Sequence, residues 1–169
     1  MQARRTILAV TSAVAFLNTG VEEEEMEPLD LSALLQTLAD EYQEGGDSVF
    51  FLGENDVHLR CRPNAINRAL TNLIDNAVHY GGEVEVRAAA AAGRVTVEIA
   101  DTGPGIPQEQ VGEVLEPFMT LDSARSRRPG SVGLGLSIVN EIIRAHHGQL
   151  ELLPRQPHGL VVRIVLTDG

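Results

Sequence analysis

Three short segments, in a fixed order along the chain, constrain the fold most strongly. Residues 72–77 lie in a stretch whose apolar residues have helical spacing, and residues 101–106 follow directly after a strand-like alternation. Residues 133–136 open another helical stretch. Each segment alone is weak evidence, because glycines and asparagines are common. Their chemistry and their order together predict one pocket, where helices meet a sheet.

The apolar periodicity predicts an α/β domain. It indicates one helix that begins near residue 31 and ends at Gly45-Gly46, a second over residues 63–80 and a third over residues 134–147. Strands are predicted at residues 49–52, 57–61, 83–88, 94–100, 149–153 and 160–166. The first two strands are expected to form a short pair. The expected fold is a mostly antiparallel sheet covered by helices.

Length and charge narrow the function classes. A chain of 169 residues is long enough for one well-cored domain and too short for two of ordinary size. Its net charge of -11 argues against a nucleic acid or an anionic membrane held by bulk charge, although a nucleotide needs only locally placed cations. Cys61 is the only cysteine, so no disulfide can form within the chain. It is predicted to be a small buried residue.

The N-terminal segment has two interpretations. Arg4-Arg5 followed by the apolar run 6–17 resembles a secretory leader, but this run is too short to cross a bilayer. Its apolar residues also share one helical face, which favours an amphipathic helix ending near residues 18–20. The acidic run 22–25 with Pro28 is expected to be a solvated linker.

Asn72 and Asn76 are four residues apart and are expected to project from one face of the second helix. Magnesium prefers oxygen ligands and keeps several waters, so one amide oxygen plus nucleotide phosphates would be a sufficient site. His79 and Tyr80 follow one turn later, where an imidazole can meet a phosphate and a phenol ring can pack on a base. Solvent-facing asparagines and an ordinary surface histidine are the alternatives.

Asp101 is a fixed acceptor at the end of a predicted strand. A carboxylate suits the exocyclic amine of adenine, which guanine does not present at that position. Gly103 and Gly105 allow the backbone to turn tightly and to approach a ligand, while Pro104 and Pro107 stiffen the path. The alternative is a plain turn that ends a strand.

Residues 130–136 lead into a helix whose first amides and dipole favour anions, so this helix end can cradle a triphosphate. It is not a Walker loop, since no Gly-Lys-Ser/Thr occurs. The preceding stretch, 117–129, contains Arg125, Arg127 and Arg128 and is interpreted as a mobile lid with phosphate-facing cations. A flexible loop without a ligand is the alternative.

With these segments, the chain resembles the ATP-binding catalytic domain of bacterial two-component sensor histidine kinases, within the GHKL ATPase superfamily, from about residue 29 to 166. Residues 72–80 match the N-box, 101–106 the G1 box, 116–118 the F-box and 133–136 the G2 box. Four boxes in family order are highly specific. The resemblance implies a Bergerat-type two-layer α/β sandwich, with a mixed, mostly antiparallel sheet covered on one face by helices.

The resemblance also implies the roles of site residues. Asn76 would bind magnesium and, with Arg125 from the Asp-x-x-Arg stretch of the lid, would be catalytic. Asp101 would bind adenine, and Phe118 would anchor the ATP lid. The other implied ATP-binding residues are Asn72, His79, Tyr80, Gly103, Gly105, Ile106, Gly133, Leu134, Gly135 and Leu136.

The implied activity is transfer of the γ-phosphoryl group of Mg-ATP to a histidine. No histidine of this chain lies in a His-Glu/Asp-x-Arg-x-Pro context, so the acceptor is expected on a separate dimerisation domain, with a response regulator receiving the group afterwards. The chain is expected to be a cytoplasmic catalytic fragment without nucleic-acid or membrane contact, whether or not the parent kinase is anchored in the inner membrane. Residues 1–28 would be the end of a dimerisation helix plus linker, and 29–169 the kinase domain.

Two departures from the family pattern support an alternative function. Thr120 stands where the family often has an arginine, and His79 stands where a lysine or arginine is common. A degenerate regulatory module that binds the nucleotide without phosphotransfer is therefore the second hypothesis. A topoisomerase or chaperone ATPase is the third, but those enzymes place a catalytic glutamate early in the N-box helix, where this chain has Asn72.

Overall fold

The computed structural model describes residues 23–80, 82–107, 109 and 135–167. This part of the chain contains three helices, α1 (Leu31–Glu44), α2 (Pro63–Tyr80) and α3 (Gly135–Ala145). Its strands are β1 (Glu27–Asp30), β2 (Ser48–Phe51), β3 (His58–Cys61), β4 (Glu83–Ala91), β5 (Arg94–Asp101), β6 (Gln149–Pro154) and β7 (Leu160–Thr167). None of the helices in these ranges is long and apolar enough to cross a membrane.

The main sheet has five strands in the order β2-β4-β5-β7-β6. All neighbours are antiparallel except β2 and β4, which are parallel. Alternate residues of β4, β5 and β7 are buried, and α1, α2 and α3 pack against the sheet. The predicted fold class is confirmed: a mixed, mostly antiparallel sheet is covered by helices whose apolar faces supply the core.

The pairing predicted for the two short strands is wrong. β2 joins the five-stranded sheet beside β4, with Ser48 opposite Glu83. β3 instead pairs with β1 in a separate two-stranded sheet, with Cys61 opposite Glu27. The apolar alternation predicts a strand correctly, but it does not say which strand will be its neighbour.

Both ends of α1 follow from local sequence. The side chain of Asp30 accepts a hydrogen bond from the backbone N–H of Ala33 at 3.0 Å, which caps the first turn. At the other end Gly46 has φ +95°, and its N–H donates to the carbonyl of Gln43 at 3.0 Å. The predicted stop at Gly45-Gly46 is confirmed, because only glycine adopts this left-handed conformation freely.

α3 ends in an unexpected way. His147, rather than the predicted Gly148, is the residue in the left-handed conformation, with φ +56°. Gly148 is required for a different reason, since a Cβ at this position would lie 2.5 Å from Leu166 Cδ2 and 2.7 Å from the carbonyl oxygen of Val165. The glycine therefore permits close packing of the helix end on β7.

The N-terminal end of α2 is capped by a distant residue. The Glu24 carboxylate accepts hydrogen bonds from the backbone N–H groups of Asn64 (2.8 Å) and Ala65 (3.0 Å). Arg62 also donates from Nε to the carbonyl oxygen of Glu24 at 3.1 Å. The interpretation of residues 22–25 as a solvated linker is thus wrong for Glu24, whose negative charge is favoured at a helix N-terminus.

The same end of α2 is joined to α3. Arg62 donates from Nη1 to the carbonyl oxygen of Ala145 at 3.0 Å, and its backbone N–H donates to Nε2 of His146 at 3.0 Å. His146 Nδ1 lies 2.7 Å from the carbonyl oxygen of Ile142. Because Nε2 accepts, Nδ1 carries the proton and the ring is neutral. Burial is the main cause that lowers the pKa of His146, which is consistent with this state.

Cys61 is fully buried beside this junction. Burial, assisted by the charge of Glu24, raises the pKa of its thiol to about 11. The prediction that Cys61 is a small buried residue is confirmed, since a thiol in this environment stays protonated at neutral pH.

Candidate functional site

α2 carries the first part of the candidate site on its C-terminal half. Its apolar residues, from Ala65 to Ala77, are buried against the sheet and against α3. Asn72 and Asn76 are half-buried beside this apolar stripe. The helix therefore fixes both amides at a border between the core and the outside, where a polar ligand has access to them.

Asn76 is in contact with the first residue of α3. A Cβ at Gly135 would lie 3.3 Å from Asn76 Nδ2 and 3.7 Å from Oδ1. A side chain at position 135 would therefore be tight, and the amide would have to move by a few tenths of an ångström to admit it. The structure thus brings together Asn76 and Gly135, two residues that the sequence analysis assigned to one site.

Asp101 ends β5 and is only 5% exposed. Its Oδ1 accepts a hydrogen bond from the backbone N–H of Gly103 at 2.8 Å. Burial raises its pKa, against the lowering effects of hydrogen bonds from the backbone of Gly103 and Leu160 and of the positive charge of Arg155. The carboxyl group is consequently held as an oriented acceptor in a largely dry environment.

The segment after Asp101 packs closely on the end of α2. A Cβ at Gly103 would lie 2.4 Å from the carbonyl oxygen of Tyr80, so glycine is required for this approach. Gly105 has φ +76°, and a Cβ there would lie 2.8 Å from the carbonyl oxygen of Gly159. The predicted tight turn at residues 103–105 is present. It packs against both the end of α2 and the loop between β6 and β7.

The loop of residues 155–159, hereafter the β6–β7 loop, was not predicted to belong to the site. Gly159 has φ +123°, and a Cβ there would lie 2.0 Å from the carbonyl oxygen of Asp101. His158 Nδ1 lies 3.3 Å from the carbonyl oxygen of Gly103. The only sequence signal for this loop was Gly159, which lies between two predicted strands. Such a glycine indicates that two backbone segments come close together, but it does not identify the second segment.

The remaining predicted residues differ in their placement. His79 and Tyr80 are half-buried, with ring centroids 4.5 Å apart in an edge-on contact at 81°. Ile106 is half-buried against the core, and Leu136 is 8% exposed and belongs to the core. Phe118, Arg125, Gly133 and Leu134 lie outside the described residues, as does Thr120.

The donor chemistry at Asn76 fits magnesium. Within the ranges that the structure describes, no three His, Cys, Asp or Glu side chains form a cluster that could hold a metal ion. An amide oxygen, phosphate oxygens and waters form a donor set that magnesium accepts without such a cluster. Asn76, fixed by α2 and opposed by Gly135, is therefore a suitable protein ligand.

Comparison with known proteins agrees with this arrangement. Residues 61–168 match the family model of histidine kinase-, DNA gyrase B- and HSP90-like ATPases. Sensor protein CutS of Streptomyces coelicolor is 39% identical over 105 residues, which are 60% of this chain and 25% of CutS. Sensor histidine kinase GtrS of Pseudomonas aeruginosa is 33% identical over 159 residues, 94% of this chain and 33% of GtrS. The chain therefore spans a quarter to a third of these relatives.

The fold is also found in a solved structure. The nucleotide-free catalytic domain of histidine kinase ThkA superimposes with a TM-score of 0.75 at 24% sequence identity. The match covers 85% of this chain and 96% of that domain. The two domains share the same architecture.

Proposed function

We propose a function for this chain, which belongs to the family of histidine kinase-, DNA gyrase B- and HSP90-like ATPases. In this proposal the chain binds Mg-ATP and donates the γ-phosphoryl group to a histidine. The acceptor would lie on a separate dimerisation domain of a sensor histidine kinase. A response regulator would receive the group afterwards. The alternative is a regulatory module that binds the nucleotide without transferring phosphate.

The observation that carries the proposal is the meeting of three distant segments at the C-terminal end of α2. Asn76 contacts Gly135 at the start of α3, and Tyr80 contacts Gly103 after β5. Asp101, two residues before Gly103, is buried and oriented. One end of a helix thus has an amide, a helix N-terminus and a carboxylate near it, which is the combination that magnesium, phosphate and adenine require.

Each group has a role in this proposal. Asp101 accepts a hydrogen bond from the exocyclic amine of adenine, and the amide oxygen of Asn76 holds magnesium. The N-terminal end of α3, where the helix dipole favours anions, would orient the phosphates. Magnesium, when bound, would supply positive charge that neutralises the phosphates. Because phosphoryl transfer needs positioning and charge stabilisation more than covalent chemistry, these residues need no nucleophile of their own.

Calorimetric titration of ATP, with and without magnesium, tests the binding step. Wild type is expected to bind ATP in a magnesium-dependent manner and to bind GTP more weakly. Asp101→Asn should weaken ATP binding roughly 10- to 100-fold, since a hydrogen bond to a charged group contributes about 1.5–3 kcal/mol. Its thermal stability should not fall, because the replacement removes a charge that burial disfavours. Equal affinity of wild type and Asp101→Asn for ATP would contradict the proposed adenine contact.

A transfer assay separates the two hypotheses. The chain is mixed with a supplied dimerisation domain that contains an acceptor histidine, together with γ-labelled ATP. Label on that histidine supports the kinase. Binding without label supports the regulatory alternative, which His79 favours because it stands where the family commonly has a lysine or arginine.

A further inference from the structure

Tyr42 joins α1 to the C-terminal half of α2. Its hydroxyl oxygen lies 2.5 Å from Asp75 Oδ1 and 3.4 Å from the carbonyl oxygen of Thr71. A phenol has a single proton, and the shorter distance assigns it to the Asp75 carboxylate, in a charge-assisted hydrogen bond. The ring of Tyr42 is half-buried and packs against the core. One side chain of α1 thus contacts α2 at two points that are one turn apart.

These two points directly precede the two asparagines of the candidate site. Thr71 is followed by Asn72, and Asp75 is followed by Asn76. Successive residues of an α-helix lie about 100° apart around its axis, so the contacts of Tyr42 and the asparagines occupy adjacent flanks of the same turns. Asn76 itself faces the start of α3 at Gly135. The part of α2 that carries the amides therefore contacts α1 through one flank and α3 through the next.

The rotation of α2 about its own axis decides where these amides point. An asparagine side-chain oxygen lies about 5–6 Å from the axis, so a rotation of about 10° moves it by about 1 Å. Magnesium tolerates little departure from octahedral geometry, and misplaced ligating groups are costly. Burial of the apolar stripe of α2 is a non-directional force, whereas the hydrogen bond between Tyr42 and Asp75 has a defined length and direction. This bond is therefore suited to fix the rotation.

We propose that Tyr42 is a positioning residue for the nucleotide site, whose hydrogen bond to Asp75 fixes the rotation of α2 and thereby aims the Asn76 amide at the magnesium that accompanies ATP. This inference rests on the proposed function and deepens it. It gives a role in metal-nucleotide binding to a residue of α1 that lies outside all of the motif segments. The role requires no contact between Tyr42 and the ligand.

The first test measures ATP affinity by calorimetry with and without magnesium, at a temperature where each variant is fully folded. Tyr42→Phe keeps the ring that packs on the core and removes only the hydroxyl. It should weaken ATP binding roughly tenfold in the presence of magnesium, because the amide is displaced. Binding without magnesium, which depends on Asp101, should stay near the wild-type value. A contact that only stabilises the fold would change neither affinity in a fully folded protein.

Gln43→Met is the matched control. Gln43 Nε2 donates to the carbonyl oxygen of Val49 at 2.6 Å, so this variant removes a hydrogen bond from the same turn of α1 to β2 instead of α2. Both variants should lower the melting temperature by similar amounts, whereas only Tyr42→Phe should change the magnesium dependence of ATP binding.

Two variants of Asp75 test the bond from its other side. Asp75→Asn keeps an acceptor oxygen for the Tyr42 hydroxyl and should retain most of the wild-type affinity. Asp75→Ala removes the acceptor, and it repeats the test if Tyr42→Phe does not fold. In the Asp75→Ala background, Tyr42→Phe should have no further effect on the affinity, since the two residues act through one bond.

The second test uses NMR of the nucleotide-free protein and follows the side-chain amide resonances of Asn76. Tyr42→Phe should shift these resonances, because the amide moves relative to Gly135, whereas Gln43→Met should leave them in place. Asn64, which is exposed at the N-terminal end of α2, is the internal reference. Its side-chain resonances should be unchanged in both variants.

The outcomes are separable. Unshifted Asn76 resonances in Tyr42→Phe, or a wild-type ratio of the affinities with and without magnesium, overturn the inference. Shifted resonances with a loss of affinity confined to the magnesium-bound nucleotide, and absent from Gln43→Met, support it. A wild-type protein that binds no ATP overturns the proposed function, and with it the role of Tyr42 in nucleotide binding.

Discussion

The two ends of α2 are built on different principles. At the N-terminal end, polar groups are paired with protein partners: Glu24 caps the first turn, and Arg62 bonds to His146 and to the carbonyl of Ala145. At the C-terminal end, glycines bring backbone against Asn76 and Tyr80. The first arrangement closes the helix end, whereas the second brings other chain segments close to it.

The buried titratable groups show the same contrast. His146, near the N-terminal end, is buried neutral with both ring nitrogens bonded. Asp101, near the C-terminal end, is buried although burial disfavours its charge. A carboxyl group that is buried although burial disfavours its charge is more common at functional sites, which supports the proposed nucleotide site at the C-terminal end of α2.

These two groups also respond to pH in opposite directions. The pKa of His146 is lowered, so its contribution to stability is present above about 6.5 and is lost as the pH falls through its folded-state value. The pKa of Asp101 is raised, so its contribution is present below about 3.9 and is lost as the pH rises through its folded-state value. A fall in pH therefore lowers the contribution of His146 to stability at the N-terminal end of α2 and raises that of Asp101 at the C-terminal end.

His146→Ala should have the largest effect, and it should be confined to stability. The backbone N–H of Arg62 loses its acceptor, which costs about 2–3 kcal/mol of unfolding free energy with the lost packing. The decline of wild-type stability below pH 6.5 should become shallower in the variant. Chemical denaturation at pH 7.5 and 5.5 measures both effects.

His58→Ala is the control for His146→Ala. His58 is exposed on β3, so its replacement should change the unfolding free energy by less than about 0.5 kcal/mol. If the two variants were equally stable, the N-terminal end of α2 would not depend on the His146 contacts.

Gly135→Ala should have the opposite profile, with a loss of binding and little change in stability. The added Cβ would lie 3.3 Å from Asn76 Nδ2, so the amide must move by a few tenths of an ångström. We expect roughly tenfold weaker magnesium-dependent ATP binding, measured by calorimetry, because small displacements of ligating groups are costly. Unfolding free energy should change by less than about 1 kcal/mol.

Gly45→Ala is the matched control, because Gly45 has φ -78° at the end of α1, and an added Cβ would meet only the carbonyl oxygens of Tyr42 and Glu41. Its ATP affinity should equal that of wild type. Unaltered ATP affinity of Gly135→Ala would contradict the proposed role of Asn76 in binding.

Glu24→Gln should have the smallest effect. Glutamine keeps one acceptor but loses the charge that favours the helix N-terminus, so the unfolding free energy should fall by about 1 kcal/mol. Thermal denaturation of Glu24→Gln beside Glu25→Gln, which alters an exposed neighbour, measures the difference. Identical melting temperatures would mean that the cap contributes nothing, and the contrast between the two helix ends would be weaker.

The sequence predicts elements well where the determinants are local. Pro63 and the apolar spacing set the start and the buried side of α2, and the alternation in β4 and β5 gives two strands at nearly the predicted positions. The Gly45-Gly46 stop depends only on neighbouring residues. These features need no knowledge of the rest of the chain.

Prediction fails where partners are far apart in sequence. The pairing of β1 with β3, the Glu24 cap and the β6–β7 loop beside Asp101 each join segments separated by tens of residues. No local pattern distinguishes a glutamate in a solvated linker from one that caps a helix 40 residues away. The structure places Asn76 near Gly135 and joins Asp101 to Gly103, residues that the motifs put in one group, whereas no motif indicated that Gly159 would lie against the backbone of Asp101.

The bond between Arg62 and His146 has a consequence for the order of folding. It joins residues 84 positions apart, so α2 leaves the ribosome long before the segment that completes its N-terminal end. Contacts of such long range slow folding, because the loop must close before the contact contributes. During synthesis, the segment up to α2 is thus expected to stay incompletely packed until α3, β6 and β7 have been made. Dependence on chaperones should be greatest in that interval.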